Sequence, residues 1–135
     1  MTEVATDYGF HIQLQDNYDV ALTRVTAALK EEGFGVLTEI DVQSTLKKKI
    51  DVDFRRYKIL GACNPPLAHR ALTADHNIGL LLPCNVIVYE NDGGGSTVSI
   101  VDPLAMLAMG GENDALAAVA DDARARLQRV ASSLT

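Results

Sequence analysis

Four residues in the second half of the chain, Asp92-Gly93-Gly94-Gly95, constrain the fold more than any others. They separate two runs rich in strand-forming residues, Cys84 to Glu90 and Ser96 to Val101. Glycines reach the positive φ angles of a tight turn at no steric cost, so the two runs are expected to pair as an antiparallel hairpin. In the first of them Val86 and Val88 alternate with Ile87 and Tyr89, so both faces read as buried. The chain must therefore build a sheet with at least one antiparallel pair.

The rest of the sequence supplies partners for that hairpin. Tyr8 to Leu14 reads as a strand, with Phe10, Ile12 and Leu14 alternating with His11 and Gln13. A helix follows, capped by Asn17 and helped by Asp19 in its first turn, with Leu22, Val25 and Leu29 as its apolar stripe and Gly33 at its end. Phe34 to Val42 is a second strand, expected to place Phe34, Val36, Thr38, Ile40 and Val42 on one face. Gln43 to Phe54 is a polar helix with Leu46, Ile50 and Phe54 four apart, and Arg56 to Cys63 is a third strand. Asn64-Pro65-Pro66 turns the chain: Asn64 is a cap and Pro65 suits the first helical position, opening a helix over Leu67 to Asp75. A short apolar stretch, Ile78 to Leu82, ends at Pro83. The last helix is expected from Glu112 to Ser132, with Leu116, Val119, Ala123, Leu127 and Val130 turned inward. These elements give an α+β fold: a five-stranded, mostly antiparallel or mixed sheet with helices packed on one face. An apolar opposite face would be covered most simply by a second copy, which makes a homodimer the expected assembly.

With 135 residues, one domain over residues 1–135 is the default, and 47% hydrophobic against 22% charged residues is the balance of an ordinary globular chain. The net charge of −6 argues against a nucleic-acid partner. Six of the 12 basic residues fall between Lys47 and Lys58, interrupted by Asp51 and Asp53, which reads as a solvated helix face and its exit loop. The first residues, MTEVATDYGF, lack a basic start followed by an apolar run, and no stretch approaches the ~20 apolar residues of a membrane span. A cytoplasmic location without membrane attachment is the expectation, with Cys63 and Cys84 as free thiols.

Chemically versatile groups concentrate in three loops: Gly61-Ala62-Cys63-Asn64-Pro65, Leu82-Pro83-Cys84-Asn85-Val86, and Asp102-Pro103 with Met106 and Met109. Two Cys-Asn pairs each lie beside a proline, one closing a strand and one opening a strand. If those strands are antiparallel neighbours, the two cysteines come near each other. These segments, from Tyr57 to Pro65, Leu80 to Val86 and Val101 to Pro103, together with Gly33-Phe34-Gly35-Val36 and Glu39-Ile40-Asp41-Val42, resemble the family catalogued as domain of unknown function 302. The resemblance runs from about Tyr8 to Leu134. It implies a small α+β domain of bacteria and archaea with a tendency to dimerise, and it implies no activity.

Read on its own, Cys63 is the candidate nucleophile, because a helix N-terminus just beyond it would favour the thiolate. The ordinary reading is a buried small hydrophobe. The absence of a CxxC spacing gives a thioredoxin-like role no support. His69 and His76, seven apart, miss the i,i+4 spacing of helical metal pairs, and no metal site is expected. Met106 or Met109, with a thiol or imidazole, could ligate a non-covalent haem, although two methionines among alanines and leucines more often fill a core. The cofactor is otherwise unknown. The leading expectation is a binding module for a small molecule or haem, with Asn64, Pro65, Pro83, Cys84, Asn85, Asp102 and Met106 around the ligand. A thiol-dependent redox or sulfur-carrier protein using Cys63, with Asn64 or Asn85 donating to a developing anion, is the first alternative. A structural or protein-interaction domain is the second. Whether the chain is an enzyme is left open, since no catalytic set is complete.

Overall fold

The computed structural model describes residues 3–5 and 8–135. Its centre is a sheet in the order β1-β2-β6-β5-β4-β3, with every neighbouring pair antiparallel. The strands are β1 (Glu3–Ala5), β2 (Gly9–Leu14), β3 (Gly35–Asp41), β4 (Tyr57–Cys63), β5 (Cys84–Glu90) and β6 (Ser96–Val101). The helices are α1 (Tyr18–Glu31), α2 (Val42–Ile50), α3 (Pro65–Ala74), α4 (Pro103–Leu107) and α5 (Asp114–Leu134). The five expected strands are all present. The sixth, β1, has three residues and adds to the edge of β2; so short a run carries no periodicity to read.

The β5–β6 hairpin forms where the glycines demand it, with Gly94 at φ 92° and Gly95 at φ 78°. A side chain at Gly95 would also strike the Leu14 carbonyl, so the turn is glycine for two reasons. Cross-strand rows then sort the two faces. Phe10, Ile100, Val86 and Leu60 lie in one register row and Ile12, Val98 and Val88 in the next, all buried. On this face lie α1 and α5: Val25 and Leu29 of α1 and Leu127 and Val130 of α5 join the strand residues in one core. The helices α3 and α4 pack on α5. The opposite face carries the row His11, Ser99, Ile87, Ile59 and Ile40, and beside it Gln13, Thr97, Tyr89 and Tyr57. Tyr57 and Tyr89 stack at 5.3 Å between ring centroids.

Local rules set most boundaries. The Asn17 carboxamide oxygen accepts from the Val20 N–H at 2.9 Å and starts α1, and Gly33 at φ 84° turns the chain away after it. Asn113 accepts from Ala115 and Leu116 to start α5. Two expectations need correction, and one stretch read without a structure acquires one. The helix read as Gln43 to Phe54 stops at Ile50, because Asp51 adopts a left-handed conformation at φ 55°, and Phe54 instead leans on the Tyr57 ring. The stretch Ile78 to Leu82 lies within a 3-10 turn, His76–Leu81, and its end. In β3, a bulge between Val36 and Thr38 breaks the alternation, so Val36 faces with Ala62 while Thr38 and Ile40 face with Gly61 and Ile59. One extra residue, Leu37, flips every position beyond it to the other side of the sheet. Among the described residues no helix is long and apolar enough to cross a membrane.

Candidate functional site

The Cys63 and Cys84 segments do meet. Strands β4 and β5 are neighbours, and Ala62 pairs with Cys84, so Cys63 stands one residue past the register of Cys84. Beside them lies a cavity of about 320 Å³. It sits where the bulged start of β3, the end of β4 and the beginning of β5 approach the helical layer.

Each wall has a local cause. From β3 come Phe34, just ahead of it, and Leu37 and Thr38 of the bulge. Gly61 allows this approach: a Cβ there would lie 2.1 Å from Thr38 Oγ1 and 2.7 Å from Pro83 Cγ. From α3 come Leu67, Ala68, Ala71 and Leu72. Positions i and i+4 share a face of a helix, so these form two adjacent columns, with Leu67 and Ala71 buried and Ala68 and Leu72 toward solvent. Pro103, Met106 and Leu107 of α4 and Val119 and Ala123 of α5 complete the enclosure.

Not all of the expected site residues belong to this cavity. Cys63, Asn64, Pro83, Cys84 and Met106 line it; Pro65, Asn85 and Asp102 do not. Asn64 is spent on structure. Its oxygen accepts from the Leu67 N–H and its Nδ2 donates to the Glu32 carbonyl, both at 3.3 Å, so the carboxamide caps α3 and ties it to the end of α1. Pro65 takes the first position of α3, as expected. Asn85 is exposed, one position on from Cys84 and paired with Gly61. Asp102 caps α4 through the Leu104 N–H at 3.0 Å and receives Arg124 Nε at 3.2 Å on both carboxylate oxygens. It holds the wall that carries Met106 instead of facing the cavity itself. Met109 is exposed.

The two thiols differ. Cys63 is half-buried at the end of β4. Cys84 is buried, and burial first, then the negative charge of an ionised Cys63, pushes its pKa up to about 11. It is a neutral thiol at physiological pH. Side chains at adjacent strand positions point to opposite faces, which disfavours a direct disulfide between residues one register step apart. No histidine, lysine, arginine or carboxylate lines the cavity among the described residues, so Cys63 has no general base there. His76 instead places Nδ1 2.8 Å from the Leu72 carbonyl. Haem is poorly served too. Met106 and the thiols offer sulfur, but no lining histidine offers nitrogen and no lining cation meets a propionate. Among the described residues no group of three or more His, Cys, Asp or Glu is arranged to hold a metal ion.

Composition hid the walls that matter most. Leu67, Ala71, Val119 and Ala123 are ordinary stripe residues in the sequence, and only the packing of α3 against α5 turns them into a lining. A wider groove of about 680 Å³ between α1 and β3 carries Thr23, Thr26, Lys30, Glu39 and Lys58, and there Lys58 pairs with Glu39 at 2.5 Å. Leu22, Ala27, Phe34, Val36 and Leu60 share its walls with these polar groups, so it is a mixed surface groove. Among these two, the cavity beside Cys63 and Cys84 is the one with no charged lining residue.

The model of the family described as domain of unknown function DUF302 matches residues 10–134. The chain belongs to the DUF302 family. A crystal structure of the uncharacterized conserved protein DUF302 from Bacillus stearothermophilus superposes with a TM-score of 0.84 at 29% sequence identity, covering 94% of this chain and 98% of that one. No curated protein matches the chain. The DUF302 match thus runs from Phe10 in β2 to the end of α5 and assigns the chain no reaction.

Proposed function

We propose that this DUF302 chain is a binding module that takes a small apolar molecule into the cavity between α3, α4, α5 and the ends of β3, β4 and β5. The observation that carries this reading is the lining. Fourteen of its 18 residues are Ala, Val, Leu, Pro, Phe or Met, and the carboxamide of Asn64 is already engaged. Ligand sites are commonly concave and mostly apolar with a few polar groups, and a cavity of this size falls at the small end of that class. Filling it gains the burial of apolar surface and restores contacts that lining atoms otherwise lack.

The test is a titration with the neutral fluorophore N-phenyl-1-naphthylamine. The expected result is saturable binding of one probe per chain, abolished in Ala71→Leu, whose side chain extends into the floor. Unsaturable or undiminished fluorescence would reject the reading. Thiol-dependent catalysis ranks lower, because Cys63 lacks a base among the lining residues.

The β3–β5 side of the far face, half-buried at Ile59 and Ile87 and exposed at Ile40, favours a second component of the proposal: a homodimer. Ile40, Ile59 and Ile87 lie in one row beside the stacked Tyr57 and Tyr89, and Ile40 and Phe54 are exposed. A two-fold contact lets one such row cover another. A reducing, cytoplasmic setting suits two free thiols beside an apolar cavity.

A further inference from the structure

The cavity shares a border with the far face of the sheet, and what joins them rests on both components of the reading just given. Gly61 alternates onto the far face with Ile59 and Tyr57, and Thr38 pairs with it from β3. The Thr38 hydroxyl and the Pro83 ring crowd the space that a Gly61 side chain would take, and both residues also line the cavity. The row Thr38, Gly61 and Asn85 is therefore an edge of the far face and a lip of the cavity at once.

Two properties of this surface say what covers it. The first is charge. Asp, Glu, Lys and Arg make up 22% of the chain, yet none stands in the row from Thr38 to Asn85, in the isoleucine row out to His11, or in the tyrosine row out to Gln13. Among the described residues none lines the cavity either. Two identical chains of net charge −6 repel each other, and a two-fold contact sets a patch against its own copy. A patch without charge is where such chains meet with no like charges opposed.

The second is area. The three rows span about 14 Å along the strands and the five strands about 19 Å across them, a flat area of roughly 270 Å². Each partner of a stable complex buries ~800 Å² of accessible surface. The sheet face alone falls short, so the contact must take in apolar surface next to it. At the tyrosine end the border is charged, since Arg55 pairs with Asp92 and Asp53 precedes Phe54. At the cavity end it is apolar, with Leu37 68%, Leu72 38% and Leu80 88% exposed. Leu80 lies in the 3-10 turn next to Gly79, where a Cβ would sit 3.6 Å from Leu72 Cδ2. The three leucines thus frame the cavity mouth from three separate elements.

We propose that a second copy of this chain covers the cavity mouth, in a contact that runs from the isoleucine row across Thr38 and Gly61 onto Leu37, Leu72 and Leu80. The partner supplies the outer wall that a single chain lacks. Ligand binding and dimerisation then strengthen each other, and each filled cavity tightens the dimer by the factor by which dimerisation tightens the ligand.

Titration with N-phenyl-1-naphthylamine, with mass read by light scattering, tests this on the native protein and on Ile59→Lys with Ile87→Lys. Neither isoleucine lines the cavity. The monomeric variant is expected to bind the probe about tenfold more weakly than the native dimer. Saturating probe is expected to lower the native dimer dissociation constant about a hundredfold, about tenfold for each of two filled cavities. Leu80→Lys, exposed and outside the lining, locates the contact. It is expected to loosen the dimer while keeping native circular dichroism, and it serves as the monomer if the isoleucine variant misfolds. Equal probe affinity in dimer and monomer overturns the closure and leaves the apolar-ligand reading intact. An undisturbed dimer in Leu80→Lys overturns it as well, because the contact then lies away from the mouth. A native chain that stays monomeric removes the cover, while its probe binding still decides the apolar-ligand reading. Probe binding to the monomer but not to the native dimer means that the partner fills the cavity itself, which overturns the shared site. If neither form binds the probe, the apolar-ligand reading falls and the shared site falls with it.

Discussion

Cys84 shows how one residue reports on its surroundings. Its thiol is held neutral by burial, with a pKa near 11 against 9.0 for the exposed group. Above pH 9 the unfolded chain gives up a proton that the folded chain retains, so stability falls between about pH 9 and 11 and levels off beyond. Two pH units of difference correspond to about 2–3 kcal/mol. Urea unfolding at pH 8 and pH 10.5 should show most of that loss in the native sequence and much less in Cys84→Ala. Tyr18, pushed up from 10.0 to about 12 by burial and then by Asp41, adds a decline between about pH 10 and 12, already begun at pH 10.5, that this substitution leaves in place. At this scale the sequence was partly legible. The role of Asn64 as a cap followed from the Asn-Pro-Pro order, and its burial under Glu32 then removed it from the ligand donors. Nothing local could show that Asn85 points away from the cavity that takes Cys84, because that depends on where β5 begins its alternation.

Elements were legible where end signals were strong. Asn17, Asn64 and the triple glycine each set a boundary through a hydrogen bond or a backbone angle that only a few residue types supply. The helix α4 was not read, because five residues carry too little periodicity, yet it forms a wall of the site. Its position depends on Asp102, which caps it and grips Arg124 of α5; Arg124 in turn lies 5.4 Å from the centre of the Phe10 ring. Asp102→Ala is expected to cost about 1–2 kcal/mol, combining a lost cap with a partly screened ion pair. It should also weaken N-phenyl-1-naphthylamine binding severalfold without touching the probe. Chemical denaturation and the probe titration measure the two effects separately. A loss of stability with unchanged probe affinity would detach α4 from the site.

At the scale of the whole molecule, the α+β class and the antiparallel hairpin were legible, while the strand order was not. The order β2-β6-β5-β4-β3 inserts the C-terminal hairpin between the first two expected strands and gathers Cys63 and Cys84 at one end. Such long-range pairing is decided by which buried faces fit together, and the sequence alone leaves several arrangements open. The same order lays the isoleucine row on the far face, with Ile40 exposed and Ile59 and Ile87 half-buried. Light scattering coupled to gel filtration should give twice the chain mass at micromolar concentration. Ile59→Lys with Ile87→Lys should return the monomer while retaining native circular dichroism. A native-sequence protein that runs as a monomer at all concentrations would leave that face without its proposed cover.

The bulge at Leu37 has an effect beyond the cavity. Strand β3 closes one side of the sheet, and among the described residues no strand lies beyond its outward backbone groups. A straight ribbon border of that kind recruits strands from other chains and seeds fibres. Here the ladder is broken near the start of β3, and the part beyond the break carries Glu39 and Asp41. The irregularity that brings Leu37 to the ligand thus also spoils the border as a template for polymerisation.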